Sequence, residues 1–148
     1  MKGLSLILIG AGALTVAACA GTPGSRGALV AEPSPCAPQR FDIYFREGEA
    51  GLTDAARHAI GLTATQLQGC DIRKVEVIGL ADASGGPDAN LDLSESRAMA
   101  VTEALSAAGW PAPAFSLVAA GESGSVTAGG VAEPMRRRTE VLVEAAPR

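Results

Sequence analysis

Lys74-Val75-Glu76-Val77-Ile78-Gly79-Leu80-Ala81-Asp82-Ala83-Ser84-Gly85-Gly86-Pro87 contains the change of period on which the fold turns. From Arg73 to Leu80 the chain alternates, with Val75, Val77 and Gly79 on one side and Glu76, Ile78 and Leu80 on the other, the signature of a strand. Gly85, Gly86 and Pro87 then break the pattern. From about Asp92 or Ser94 to Ala108 the apolar spacing becomes helical, with Ala98, Val101, Leu105 and Ala108 as the stripe. Gly109 and Pro111 terminate the helix.

The same reading extends in both directions. Phe41 to Arg46 carries β-forming aromatics and predicts a strand. Thr53 is placed to cap a helix running to about Gln68, whose buried face would hold Leu52, Ala56, Ala59, Ile60, Thr63 and Leu67. Strand, helix and strand at these spacings make a βαβ unit. Downstream, Phe115 to Ala120 predicts a third strand. Arg138 to Ala145 predicts a fourth, with Glu140, Leu142 and Glu144 alternating against Val141 and Val143. A glycine-rich loop, Gly121 to Pro134, lies between them. The order β-α-β-α-β-β predicts an α+β domain over residues 39–148, a mixed four-stranded sheet with both helices packed on one face.

The chain has 148 residues, 12 basic against 16 acidic, a net charge of -4 and only 3% aromatic residues. Arg136, Arg137 and Arg138 are the only run of three basic residues. An acidic chain without a basic stripe or stacking aromatics is not built for nucleic acid. Mean hydropathy is nevertheless +0.22, and nearly all of that excess lies in residues 1–18. Lys2, the apolar run Gly3 to Val16 and the small residues Ala17-Ala18 read as a signal peptide, too short for a comfortable membrane span. Gly10-Ala11-Gly12 falls inside this leader with no strand before it, so it is no dinucleotide loop.

Val16-Ala17-Ala18-Cys19 resembles a bacterial lipobox, which implies that Cys19 is lipidated and becomes the first mature residue. More than one acyl chain gives stable anchoring. Ala20 in the following position resembles sorting to the outer membrane rather than retention at the inner one. Residues 19–38 are then the lipidated cysteine and a Gly, Pro, Ser and Ala-rich tether, which spans at most about 60 to 70 Å at full extension. Cys36 and Cys70 remain as an even pair in an oxidising compartment and are expected to form a disulfide. One precedes the first strand and the other the second, so neighbouring parallel strands would bring them together. Two cysteines and the lone His58 do not make a tetrahedral metal site, and no cofactor is expected.

Gly79-Leu80-Ala81-Asp82-Ala83-Ser84-Gly85, then Asn90, Leu93-Ser94 and Arg97-Ala98, resembles the peptidoglycan-binding domain of the OmpA family. That family's pattern is Gly-His-Thr-Asp, a glycine loop, Asn, then Leu-Ser-x-x-Arg-Ala. Gly121-Glu122-Ser123 resembles its Gly-Glu-Ser turn, and Arg136-Arg137-Arg138-Thr139-Glu140-Val141 its Asn-Arg-Arg-Val-Glu-Ile ending. The resemblance covers roughly Phe41 to Glu144. It implies that Asp82 and Arg97 grip the diaminopimelate of the peptidoglycan stem peptide, with Arg137 of the double arginine as a second contact.

The residue chemistry agrees with that implication. Asp82 is expected just past the end of the second strand and Arg97 in the first turns of the second helix, and ligands of sheet proteins tend to bind at strand ends. A carboxylate and a guanidinium facing one pocket can bind a zwitterion, Asp82 taking the ammonium and Arg97 the carboxylate. A purely structural reading stands beside this one, with Asp82 a turn residue and Arg97 its ion-pair partner. Asn90 has two readings as well, bonding a loop backbone or the ligand. Leu80 and Ala81 replace the family's His and Thr, and Arg136 its Asn. Each lost ligand hydrogen bond costs about 0.5 to 1.5 kcal/mol, so weaker or differently tuned binding is expected.

His58 reads as a surface residue. No nucleophile, base and orienting group come together, so an enzyme is not expected. The expected function is that of an outer-membrane lipoprotein whose periplasmic domain binds peptidoglycan and tethers the membrane to the wall. The alternative is an interaction module of an envelope protein complex with a degenerate pocket.

Overall fold

A computed structural model describes residues 34–148. The leader, Cys19 and the chain up to residue 33 lie outside the described residues. The elements run β1 (Gln39–Tyr44), α1 (Asp54–Gln66), β2 (Cys70–Gly79), α2 (Pro87–Ala107), β3 (Phe115–Ala119) and β4 (Arg138–Pro147), with 3₁₀ turns at Ala112–Ala114 and Pro134–Arg136. The strands form one mixed sheet in the order β1-β4-β2-β3. β4 lies antiparallel to both β1 and β2, and β3 pairs in parallel with β2. This is the α+β architecture expected from the pattern.

The alternation of the strands decides which face is covered. Val75, Val77, Val141 and Val143 are buried and meet Ile60 of α1 and Ala98, Val101 and Leu105 of α2 in one core. The opposite face carries ion pairs, Arg40 with Glu140 at 2.6 Å, Arg138 with Glu140 at 2.7 Å and Lys74 with Glu76 at 3.3 Å. α1 begins at the expected residue because the Thr53 hydroxyl accepts from the Ala56 N–H at 3.1 Å, filling one of the helix's orphan donors.

Several boundaries depart from the sequence reading. β1 starts at Gln39, before Phe41, and stops at Tyr44, while β2 reaches back to Cys70. α2 starts at Pro87, well ahead of Asp92, because a proline in the first helical position supplies a suitable φ and its missing N–H is an orphan there in any case. Arg97 therefore lies mid-helix and not in the first turns. Ala59 and Ala108, expected on buried faces, are exposed.

The disulfide between Cys36 and Cys70 is present, with Cα atoms 5.5 Å apart. It does not arise from neighbouring strands, since β4 lies between β1 and β2. Instead Ser34 to Ala37 makes a turn, closed by the Ala37 N–H on the Ser34 carbonyl at 2.9 Å, and Cys36 packs against the core beside the start of β2.

Where α2 crosses the end of β2 the backbones approach so closely that a Cβ on Gly79 would lie 1.8 Å from the Ser94 carbonyl oxygen. That contact is with backbone and cannot be relieved by a rotamer change. Gly79→Ala is expected to cost more than about 2 kcal/mol of stability. Replacing both Cys36 and Cys70 with Ser, which frees a loop of 34 residues, should cost about 3 to 4 kcal/mol by loop-closure entropy. Urea titrations of the two variants against the parent chain measure both; midpoints unchanged from the parent would contradict them.

Candidate ligand-binding site

Beyond Gly79 the chain leaves the sheet with its backbone still tied. The Leu80 N–H donates to the Arg138 carbonyl at 3.0 Å and the Ala81 N–H to the Gly121 carbonyl at 2.8 Å. Leu80 and Ala81 are 3% and 0% exposed, so the positions where the family pattern has His and Thr are here aliphatic and within the packing. Asp82 follows at the rim, its side chain 12% exposed. Its carboxylate accepts the Ser84 N–H at 3.3 Å and the Ser84 hydroxyl, the local turn typical of Asp two residues before a free N–H.

Arg97 is fully buried. Its Nη1 donates to the Leu80 carbonyl at 2.8 Å, its Nε to Glu49 at 2.9 Å and its Nη2 to Arg46 at 3.1 Å. Cζ sits 5.1 Å from the centre of the Phe45 ring, within cation–π range. One side chain thus binds the end of β2 to the β1–α1 loop. Burial pushes the Arg97 pKa down, the nearby Asp82 carboxylate raises it and Arg137 lowers it again, for a net decrease. The group still carries its charge at neutral pH, since arginine does not deprotonate in proteins.

The direct ion-pair partner of Asp82 is Arg137, with Nε 3.6 Å from Oδ2, and not Arg97. Arg137 also pairs with Glu47 through Nη1 at 3.2 Å. The Asp82 carboxylate pairs with the 30% exposed Arg137, while the buried Arg97 guanidinium is committed to main-chain carbonyls.

Asn90 is 2% exposed, and its Nδ2 donates to Glu122 Oε2 at 2.6 Å. A Cβ on Gly85, whose φ is +114°, would lie 3.2 Å from Asn90 Oδ1. Asn90 therefore packs under the glycine loop and couples it to the Gly121-Glu122-Ser123 turn. Ser94 completes that coupling: its hydroxyl accepts the Gly121 N–H at 3.0 Å and donates to the Leu91 carbonyl at 2.8 Å.

The three consecutive arginines separate. Arg136 donates to the Ser123 carbonyl, Arg137 reaches Asp82, and Arg138 lies on the open sheet face between Asp42 at 3.3 Å and Glu140 at 2.7 Å. Arg136 belongs to the 3₁₀ turn, and β4 begins at Arg138. Burial opposes the charge on Arg138, but hydrogen bonding to Glu140 and the Asp42 and Glu140 charges outweigh it and hold its pKa above the ordinary value. His58 is exposed on α1.

Sequence reasoning missed the Arg46 and Glu49 carbonyls, Glu47 and Ser84. Main-chain acceptors leave no trace in residue identity. The Asp-x-Ser spacing is the one signal that could have found Ser84 as a turn partner of Asp82.

The fold and site define a small α+β module with a cluster of charged side chains at one strand end. Residues 44–139 match the OmpA family, and the chain belongs to that family. It is 34% identical over 90 residues to outer membrane protein A of Serratia odorifera, a match covering 60% of this chain and 37% of that protein. The chain therefore corresponds to a little over a third of that relative. Among solved structures, the OmpA-like domain of FopA1 from Francisella tularensis subsp. tularensis SCHU S4 aligns with a TM-score of 0.63 at 25% identity, covering 74% of this chain and 73% of that one. The peptidoglycan-associated lipoprotein from Burkholderia pseudomallei aligns at 0.60 and 23% identity, covering 69% and 88%. The cell wall anchor of the T6SS from Pseudomonas aeruginosa aligns at 0.59 and 22%, covering 74% and 82%.

Arg97→Lys, which keeps the charge but not the three-way fork, is expected to lower unfolding free energy by about 2 to 4 kcal/mol. Asp82→Asn, which removes a partly exposed pair, should stay within about 1 kcal/mol. Parallel chemical denaturation of the two variants reads the difference. Equal losses would contradict the assignment of Arg97 as the tie between β2 and the β1–α1 loop.

Proposed function

We propose that this chain is an outer-membrane lipoprotein whose OmpA-like domain binds peptidoglycan noncovalently through the diaminopimelate of the stem peptide. It would act as a tether between membrane and wall, a binding module and not an enzyme. The observation that carries the reading is the Asp82 carboxylate at the strand end, ion-paired with Arg137 and two residues past the Leu80 carbonyl that Arg97 holds. Membership of the OmpA family supports it, as do the fold relatives whose names are peptidoglycan-associated lipoprotein and cell wall anchor.

On this reading a ligand ammonium takes the place of the Arg137 guanidinium against Asp82. Arg137 then turns to the ligand carboxylate. Arg97 commits three of its five donors to carbonyls. It holds the Leu80 carbonyl from within the core and so keeps the start of the Asp82 loop in position. Asn90 holds the loop beneath. Residues 1–18 are the export signal, Cys19 the lipid attachment point, and residues 20–38 the tether that lets the domain at 39–148 reach the wall from the periplasmic side of the outer membrane.

One observation favours a second reading. Leu80 and Ala81 fill the strand end with buried aliphatic side chains, which removes a hydroxyl and an imidazole that the family pattern would provide. An interaction module of an envelope complex, with a silent pocket, would look like this.

Cosedimentation of residues 20–148 with purified sacculi separates the two. The parent protein is expected in the pellet, with Asp82→Ala lowering the bound fraction at least tenfold at subsaturating wall, the scale of a lost charged contact of about 1.5 to 3 kcal/mol. A parent protein that stays in the supernatant would sink the tethering reading in favour of the second. For the anchor, Cys19→Ser in the full chain should move the protein from the membrane fraction to the soluble one, and continued retention would contradict lipidation there.

A further inference from the structure

We propose that the Cys36–Cys70 disulfide carries tension from the N-terminal segment directly into the central strand β2, bypassing the edge strand β1; this rests on the tethering reading above. β1 is joined to the sheet on one side only, by six register pairs with β4. β2 is joined on both sides, by nine pairs with β4 and five with β3. Cys36 precedes β1, and its partner Cys70 is the first residue of β2. The other end of the same strand leads to Asp82. From Cys36 to Asp82 the path is therefore one disulfide and a single strand about 33 Å long, with no hydrogen bond in series.

Without the bridge, the same pull enters β1 along its axis and reaches β2 only through two ladders in series, β1 to β4 and then β4 to β2. The first is the shorter. Its failure would release the segment between the cysteines, which contains Arg46 and Glu49, the residues whose carbonyls hold Arg97. Tension on an unbridged chain would thus dismantle the charged cluster at the far end of the domain. With the bridge intact, β1, α1 and their loop lie off the load path and the cluster keeps its shape while the tether is taut.

The test is force spectroscopy on residues 20–148, with one handle at the amino terminus and the other on an azide-bearing residue introduced at the exposed Ala83. Folded oxidised protein is pulled first, and the same protein is then reduced in place with dithiothreitol, with Cys36→Ser/Cys70→Ser as a second form. The oxidised chain is expected to show no long extension step. The reduced chain should yield at a force the oxidised chain survives, lengthening by about 110 to 120 Å for the 34-residue segment. A reduced chain that holds to the same force, or an equal step in both forms, would overturn the proposal. Sacculus binding without load should be the same for oxidised and reduced protein. Loss on reduction alone would overturn the load-path role by showing that the bridge merely maintains the cluster. Absence of binding in both forms would count against tethering and leave the force result to stand by itself.

Discussion

The domain depends on one buried charge. Arg97 lies mid-helix on α2 with no solvent exposure, and an unpaired guanidinium in that position would be costly. The cost is offset by three carbonyls, one from the end of β2 and two from the β1–α1 loop, and by the Phe45 ring below. Because those acceptors come from segments far apart in sequence, satisfying one side chain fixes the relative positions of α2, β2 and the loop. Gly79 permits the arrangement, since only a residue without a Cβ lets Ser94 and the helix approach the strand so closely.

Around this tie the strand-end cluster is built from polar pairs that each join two segments. Ser94 and Gly121 link α2 to the β3–β4 loop, Asn90 and Glu122 link the glycine loop to the same turn, and Arg137 links Asp82 to Glu47. Asp82 is the carboxylate left at the rim, paired with Arg137 at 3.6 Å. The disulfide lies at the opposite end of β2, so the strand that begins at the bridge ends at the site.

Much of this was legible from residue pattern. Period two in Lys74–Leu80 and in Glu140–Glu144, and helical period around Ala98, Val101 and Leu105, depend on which side chains face the core, and burial in the folded domain follows them. The order of elements and the meeting of Asp82 and Arg97 near one strand end could also be read. Strand order could not, because β4 enters between β1 and β2 through long-range pairing that no local pattern encodes. The start of α2 was misplaced for a local reason: Pro87 was taken with the glycines as a breaker, although proline is favoured in a first helical turn. Arg97 is expected from sequence to meet a ligand carboxylate; its acceptors in the folded domain are backbone carbonyls, which any sequence supplies and none advertises.

The central claim is that this strand-end cluster, organised by Arg97 and with Asp82 at its rim, is where the stem peptide binds. It is tested most directly by titrating isotopically labelled residues 20–148 with a disaccharide tripeptide carrying meso-diaminopimelate and following the amide and arginine side-chain resonances. The account predicts saturable shifts centred on the amides of Asp82 to Gly86 and on the Arg97 and Arg137 side chains, and much weaker ones with the lysine-containing tripeptide, which lacks the second carboxylate. Saturable shifts confined to another surface, such as the open sheet face around Arg40 and Lys74, or no shifts at all, would contradict it.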